Sequence, residues 1–147
     1  MSNVVMSKED LRQAQKVMLY IMKAIHRVCV KHNIKYWLDY GTLLGAIRHQ
    51  GFIPWDDDMD VGMPRPDYEK LVTIIHKDDR FCEIAPKELG EEFFLQNSKT
   101  DRKFVRQFAR VRLNGTVWLD PNTAQEKSSH KGFFVDVFPM DSMPQSL

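Results

Sequence analysis

Trp55-Asp56-Asp57-Asp58-Met59-Asp60-Val61-Gly62 gathers four carboxylates just ahead of an apolar stretch. In an extended chain side chains alternate, so Asp56, Asp58 and Asp60 point one way and Asp57 the other. Same-face neighbours then stand about 7 Å apart. Like charges repel, and a pair near 4 Å costs about 4 kcal/mol at an effective dielectric of 20. A strand that aligns them therefore implies a compensating cation. Hard oxygen ligands suit Mg²⁺ or Mn²⁺, with Ca²⁺ a further option. The competing reading is a solvated acidic turn after Pro54, because runs of charge usually face water. An EF-hand loop does not fit: Val61 stands where its sixth-position glycine belongs, and Pro64 and Pro66 interrupt the loop.

Gly41-Thr42-Leu43-Leu44-Gly45 lies a short way upstream. Glycines let backbone approach a phosphate, and a hydroxyl with the N–H groups that open a helix can bind its oxygens. The pattern alone serves equally well as a turn between a strand and a helix.

Around these two motifs the periodicities alternate. Leu11, Ala14, Met18, Ile21, Ile25 and Val28 recur at spacings of three and four, predicting an amphipathic helix over 8–32 with Ser7 as its cap and Asp10 three residues on. A short aromatic strand is expected at 34–38, and the glycine turn then opens a short helix. A strand over 59–63 leads into a helix that starts at Pro64-Arg65-Pro66, runs to about Lys77 and buries Tyr68, Leu71, Val72 and Ile75. Strands are expected near 81–84, 93–96, 104–113 and 116–119, with Asn114-Gly115 as a hairpin turn. The 120–131 segment reads as a loop. Gly132 to Phe138 is the final strand, ended by Pro139. This order predicts an α/β (α+β) fold, a sheet with helical cover.

Composition narrows the partners. The 147 residues carry a net charge of +1, which lacks the basic excess expected of a nucleic-acid binder. Hydrophobic residues at 43% and charged residues at 28% are those of a globular chain. Cys29 and Cys82 lack metal-ligand spacing and read as buried thiols. No apolar stretch suffices for a membrane span, so the expected location is cytoplasmic, with peripheral attachment to the inner face of a membrane as an option.

Taken together, Tyr36-Trp37-Leu38-Asp39-Tyr40-Gly41-Thr42-Leu43-Leu44-Gly45-Ala46-Ile47-Arg48-His49 and Phe52-Ile53-Pro54-Trp55-Asp56-Asp57-Asp58-Met59-Asp60-Val61 resemble the hallmark of the LicD family. That family includes bacterial phosphocholine transferases and is similar to fukutin and fukutin-related protein. The likeness is dense over about 34–65 and returns at Phe133 to Asp141.

The resemblance implies a nucleotidyltransferase-like mixed sheet flanked by helices, formed as a single domain over 1–147 that lacks a C-terminal continuation. It implies catalytic and metal-binding roles for Asp58, Asp60 and Asp136, with Asp56 as a further candidate ligand and Mg²⁺ or Mn²⁺ as the cofactor. Gly41, Thr42 and Arg48 would bind phosphate or nucleotide. A helix C-terminal cation is the other reading of Arg48. Asp136 sits between Val135 and Val137, whose side chains share the opposite face; a strand-edge carboxylate is the alternative. The implied reaction moves a phospho-alcohol such as phosphocholine from a CDP-linked donor to a glycan or glycolipid acceptor, such as lipopolysaccharide or teichoic acid. Nucleotidyl transfer on the same site, or a non-catalytic metal- or nucleotide-binding domain, are the alternatives. Arg106, Arg110 and Arg112 fall at even positions and, with Lys103 nearby, are expected to form a solvated basic strand face, or else to meet phosphates.

Overall fold

The computed structural model describes residues 6–75, 92–118 and 130–143. The first helix, α1 (Lys8–His32), follows the predicted stripe: Ala14, Met18, Ile21, Ile25 and Val28 are buried, while Leu11 is half-buried. Ser7 Oγ accepts from the Asp10 N–H at 3.0 Å, which satisfies one orphan donor of the first turn. At the other end Asn33 takes the left-handed conformation (φ 51°) and closes the helix.

Strand β1 (Trp37–Leu38) is shorter than expected, and α2 (Tyr40–His49) starts one residue before the glycine. The acidic run is irregular until β2 (Asp60–Pro64), from which α3 (Arg65–Ile75) begins directly. Tyr68, Leu71 and Val72 are buried as predicted. Strands β3 (Phe93–Gln96), β4 (Ala109–Leu113) and β5 (Phe134–Met140) complete a five-stranded mixed sheet of order β1-β2-β5-β4-β3. The parallel pair is β2 with β5; each of the other pairs is antiparallel.

Three expectations change. Residues 104–108 are not strand, and Asn114-Gly115 turns the chain (Gly115 φ 70°) into 116–118, which pair with no strand among the described residues. The last strand runs through Pro139, which sits opposite Met63 at the end of the parallel pairing; a missing N–H is tolerated near a strand end. The expected strand at 81–84 and the loop at 120–129 lie outside the described residues.

One face of the sheet is the core. Val61, Met63, Val135, Val137, Ala109, Val111 and Leu95 pack there with the apolar stripes of α1 and α3. Cys29 belongs to this core, and burial pushes its thiol up to about 12, with the Asp67 carboxylate adding to the effect. Ile21 is fully buried, so Ile21→Ala should cost about 2–5 kcal/mol of stability in denaturant unfolding. Ile47→Ala, at a side chain 77% exposed, should stay within about 0.5 kcal/mol of wild type.

Candidate active site

Strand alternation puts every second residue on the face away from this core. Register then builds one transverse row across the sheet. Asp60 on β2 pairs with Asp136 on β5, Asp136 with Arg110 on β4, and Arg110 with Gln96 on β3. Asp39 extends the row at the other edge, its N–H donating to the Asp60 carbonyl at 3.1 Å. Adjacent strands stand about 4.8 Å apart, so Asp60 and Asp136 are immediate neighbours.

Each position has a local cause. Met59 buries its side chain in the core while its carbonyl accepts from the Asp136 N–H at 2.9 Å, and this turns Asp60 to the opposite face. Thr42 is buried, and its Oγ1 accepts from the Asp60 N–H at 2.9 Å, clamping the head of β2 to α2. Asp39 caps α2 by accepting from the Tyr40 N–H at 2.9 Å. Tyr40 is held at φ 44°, an uncommon conformation for an aromatic residue, at the point where the chain turns from β1 into α2.

The glycines of the motif are explained by close packing. A Cβ on Gly41 would come within 2.9 Å of Asp56 Oδ2, and one on Gly45 within 2.6 Å of the Gly51 carbonyl oxygen. The acidic loop thus lies directly against α2. Gln15 of α1 fastens it from behind, donating to the carbonyls of Ile53 at 3.2 Å and Asp56 at 2.9 Å.

The carboxylates strain against one another. Burial first, then the charges of Asp58, Asp136, Asp56 and Asp39, push Asp60 up to about 7. Asp58 opens to solvent at one side but loses hydration at the other; that loss, with Asp56, Asp57 and Asp136, raises it to about 6. Asp56 is raised chiefly by burial, against the effect of its hydrogen bond with Asp58. Its Oδ2 is buried with no hydrogen-bond partner. Asp136 is raised by burial and pulled the other way by Arg110, whose Nε and Nη2 reach its two oxygens at 2.6 and 3.2 Å.

Among the described residues no three acidic, histidine or cysteine side chains close round one point as a finished metal cage. The carboxylates are gathered without being closed, and Asp136 is turned onto Arg110. As donors they nevertheless fit a hard divalent cation: all are oxygen, their combined charge is negative, and one buried oxygen lacks a partner.

Of the other expected site residues, Gly41 and Thr42 lie at the carboxylate end of α2. Arg48 lies in its last turn, about 9 Å further along the axis than Thr42. It is exposed, with its Nε 3.5 Å from His49 Nδ1. The basic strand face is a correction. Arg110 and Arg112 are 3% and 4% exposed, not solvated. Segment 97–108 covers them, with Phe104 buried and Asp101 accepting from Gln96 Nε2 at 2.7 Å. Arg112 donates to Gln96 Oε1 and to the Gly132 carbonyl. Alternation did place both arginines on one face; what it lacked was the partner strand carrying Asp136. Asp141, just beyond β5, receives both Nε and Nη2 of Arg65, at 2.8 and 2.6 Å.

This arrangement can be set against known proteins. Residues 33–146 match the family described as LicD/FKTN/FKRP, nucleotidyltransferase domain. The chain belongs to the LicD family. Over 141 residues it is 51% identical to the lipopolysaccharide cholinephosphotransferase LicD of Haemophilus influenzae, covering 95% of this chain and 47% of that protein. Over 108 residues it is 38% identical to human ribitol 5-phosphate transferase FKRP, covering 67% of this chain and 22% of that protein. The chain thus spans about half the length, or less, of the curated relatives it matches. LicD membership agrees with the mixed α/β sheet. No helix among the described residues is long and apolar enough to cross a membrane.

Asp60 supplies a test of the electrostatics. Its pKa in the fold lies above that of an unfolded chain, so its contribution to stability is present at low pH and lost as pH rises through about 7. With EDTA present, Asp60→Asn should therefore raise the melting temperature at pH 8, and raise it clearly less at pH 5. A difference between variant and wild type that does not grow with pH would show that burial and neighbouring charge together do not raise the pKa of this carboxylate.

Proposed function

We propose that the protein is a divalent-metal-dependent phosphotransferase of the LicD type. Its substrate would be a CDP-activated phospho-alcohol, with phosphocholine the first candidate, and its acceptor a hydroxyl of a cell-surface glycan such as lipopolysaccharide or teichoic acid. The observation that carries the reading is the pairing of Asp60 with Asp136 on adjacent parallel strands, with Asp58 beside them. The names of the relatives, a cholinephosphotransferase and a ribitol 5-phosphate transferase, support phospho-alcohol transfer to a glycan.

Asp58, Asp60 and Asp136 would hold Mg²⁺ or Mn²⁺, with Asp56 as a further ligand. When bound, the ion supplies polarisation of the transferring phosphoryl group and neutralises charge on the departing CMP. The acceptor oxygen forms the new bond to phosphorus while the bond from phosphorus to the CMP oxygen breaks. The acceptor proton passes to a carboxylate of the cluster. Asp136 suits that role less well than its neighbours because Arg110 donates a hydrogen bond to each of its oxygens. Gly41 and Thr42 open α2 beside the carboxylates, where N–H groups and the helix dipole favour donor phosphate. Thr42 keeps its hydroxyl proton while its oxygen accepts from Asp60. Arg48 would approach the donor from the far end of the same helix.

Two measurements test this. Mn²⁺ should raise the melting temperature of the wild-type protein, and the double variant Asp58→Asn with Asp60→Asn should lose that gain while remaining folded. A full gain in the double variant would remove these residues from the metal site. Donor labelled separately in choline and in cytidine should leave the choline label on the glycan and release labelled CMP. Cytidine label on the product would establish nucleotidyl transfer instead, and transfer of neither label would favour a non-catalytic binding domain.

A further inference from the structure

Arg110 is the most deeply enclosed cation of the site, and its surroundings fix it closely. Its guanidinium lies 4.0 Å from the centroid of the Phe134 ring, with Phe104 and Phe108 at 5.6 and 5.7 Å. Phe134 also carries Arg112 at 4.8 Å, and Arg112 is tied in turn to Gln96 and the Gly132 carbonyl. An arginine only balancing surface charge would not be walled by three rings and 3% exposed. Lysine could not reproduce the contact, because the guanidinium is a flat fork whose two donors fit the two oxygens of one carboxylate.

The consequence falls on Asp136. A carboxylate offers about four acceptor positions, and Arg110 uses one on each oxygen. The fork therefore sets the plane of the carboxylate without exhausting it. The unused positions lie away from β4, and the residue on the other side of Asp136 in the row is Asp60.

We propose that Arg110 is a positioning residue: it orients the Asp136 carboxylate for a divalent cation shared with Asp60, and remains paired with Asp136 when the cation is bound. This rests on the metal-dependent reading above. The opposite role for the same pair is a counter-ion that competes with the cation for Asp136. The two roles predict opposite changes in metal affinity.

The experiment titrates Mn²⁺ into the 147-residue protein by calorimetry, for wild type, Arg110→Lys, Arg110→Met and Arg112→Lys. Groups that orient metal ligands typically contribute 10–100-fold to affinity. Arg110→Lys keeps the charge but loses the fork, so its Mn²⁺ affinity should fall by about tenfold or more. Arg110→Met should fall at least as far; should it not fold, the lysine variant decides alone. Arg112→Lys disturbs the same buried layer without touching Asp136, and should lose thermal stability while keeping its affinity. A general loosening of the layer would instead lower the affinity of both lysine variants alike, and would overturn the proposal. Unchanged or increased affinity in Arg110→Lys would overturn it in favour of the competing counter-ion. Absence of Mn²⁺ binding by the wild type would remove the metal-dependent reading itself, an outcome separate from any difference between variants.

Discussion

Burial of two carboxylates, Asp60 and Asp136, side by side on parallel strands is the constraint round which this face of the protein is arranged. Each is buried and each has its pKa raised, with Asp58 adjoining them on the solvent side. A fold does not keep such a pair without opposing interactions. Arg110 provides one, from the next strand in the row. The core on the opposite face provides another, because Val61, Val135 and Val137 cannot be moved without exposing them. The apolar side of the sheet thus holds in place an arrangement that the polar side would otherwise push apart.

That division explains why α2 and the acidic loop are built so tightly. Gly41 and Gly45 let the loop lie against the helix, Gln15 ties it to α1, and Thr42 grips the N–H of Asp60. Most of these contacts act on the backbone around the carboxylates rather than on the carboxyl groups themselves. Asp56 is the exception that shows the tension: one of its oxygens is buried against Gly41 with nothing to receive. An unpaired buried acceptor typically costs about 1–3 kcal/mol, and more when charged. Such a cost is expected where a site has a use for the group.

Much of this was legible in the sequence because period and glycine spacing are local signals. The stripe of α1, the strand after the acidic run and the apolar flanks of Asp136 all follow from residues within a few positions of one another. Strand order does not. Nothing near Arg110 announces that β4 lies against β5 in a register that pairs Arg110 with Asp136, so its charge looked like a surface charge. The same limit applies to residues 104–108, whose alternation suggests strand but whose aromatic rings are used to roof the polar face: Phe104 meets Phe108 edge-on, and Phe108 packs on Phe138. Pro139 misled for a related reason, since a proline stops a strand only where the missing N–H would have had a partner.

The row is flanked by groups of a different kind, which matters if the proposed function holds. Within the row, Asp60, Asp136, Arg110 and Gln96 are fixed relative to one another by strand register, with Asp58 in the loop beside them. The groups beside it are of another kind. Tyr40 is 60% exposed and meets Phe138 edge-on, while Trp37 lies over Gly62, where any side chain would strike its ring. Trp37 stands at the sheet's edge and Tyr40 opens α2, both outside the β2-β5-β4-β3 pairings. On the reading proposed above, this layout would separate the demands of phosphoryl transfer from those of substrate choice. The human relative at 38% identity and the bacterial relative at 51% carry names that differ in the alcohol transferred, ribitol 5-phosphate in one and phosphocholine in the other. Variation confined to that margin is the change such a layout permits at least cost to the carboxylate pair.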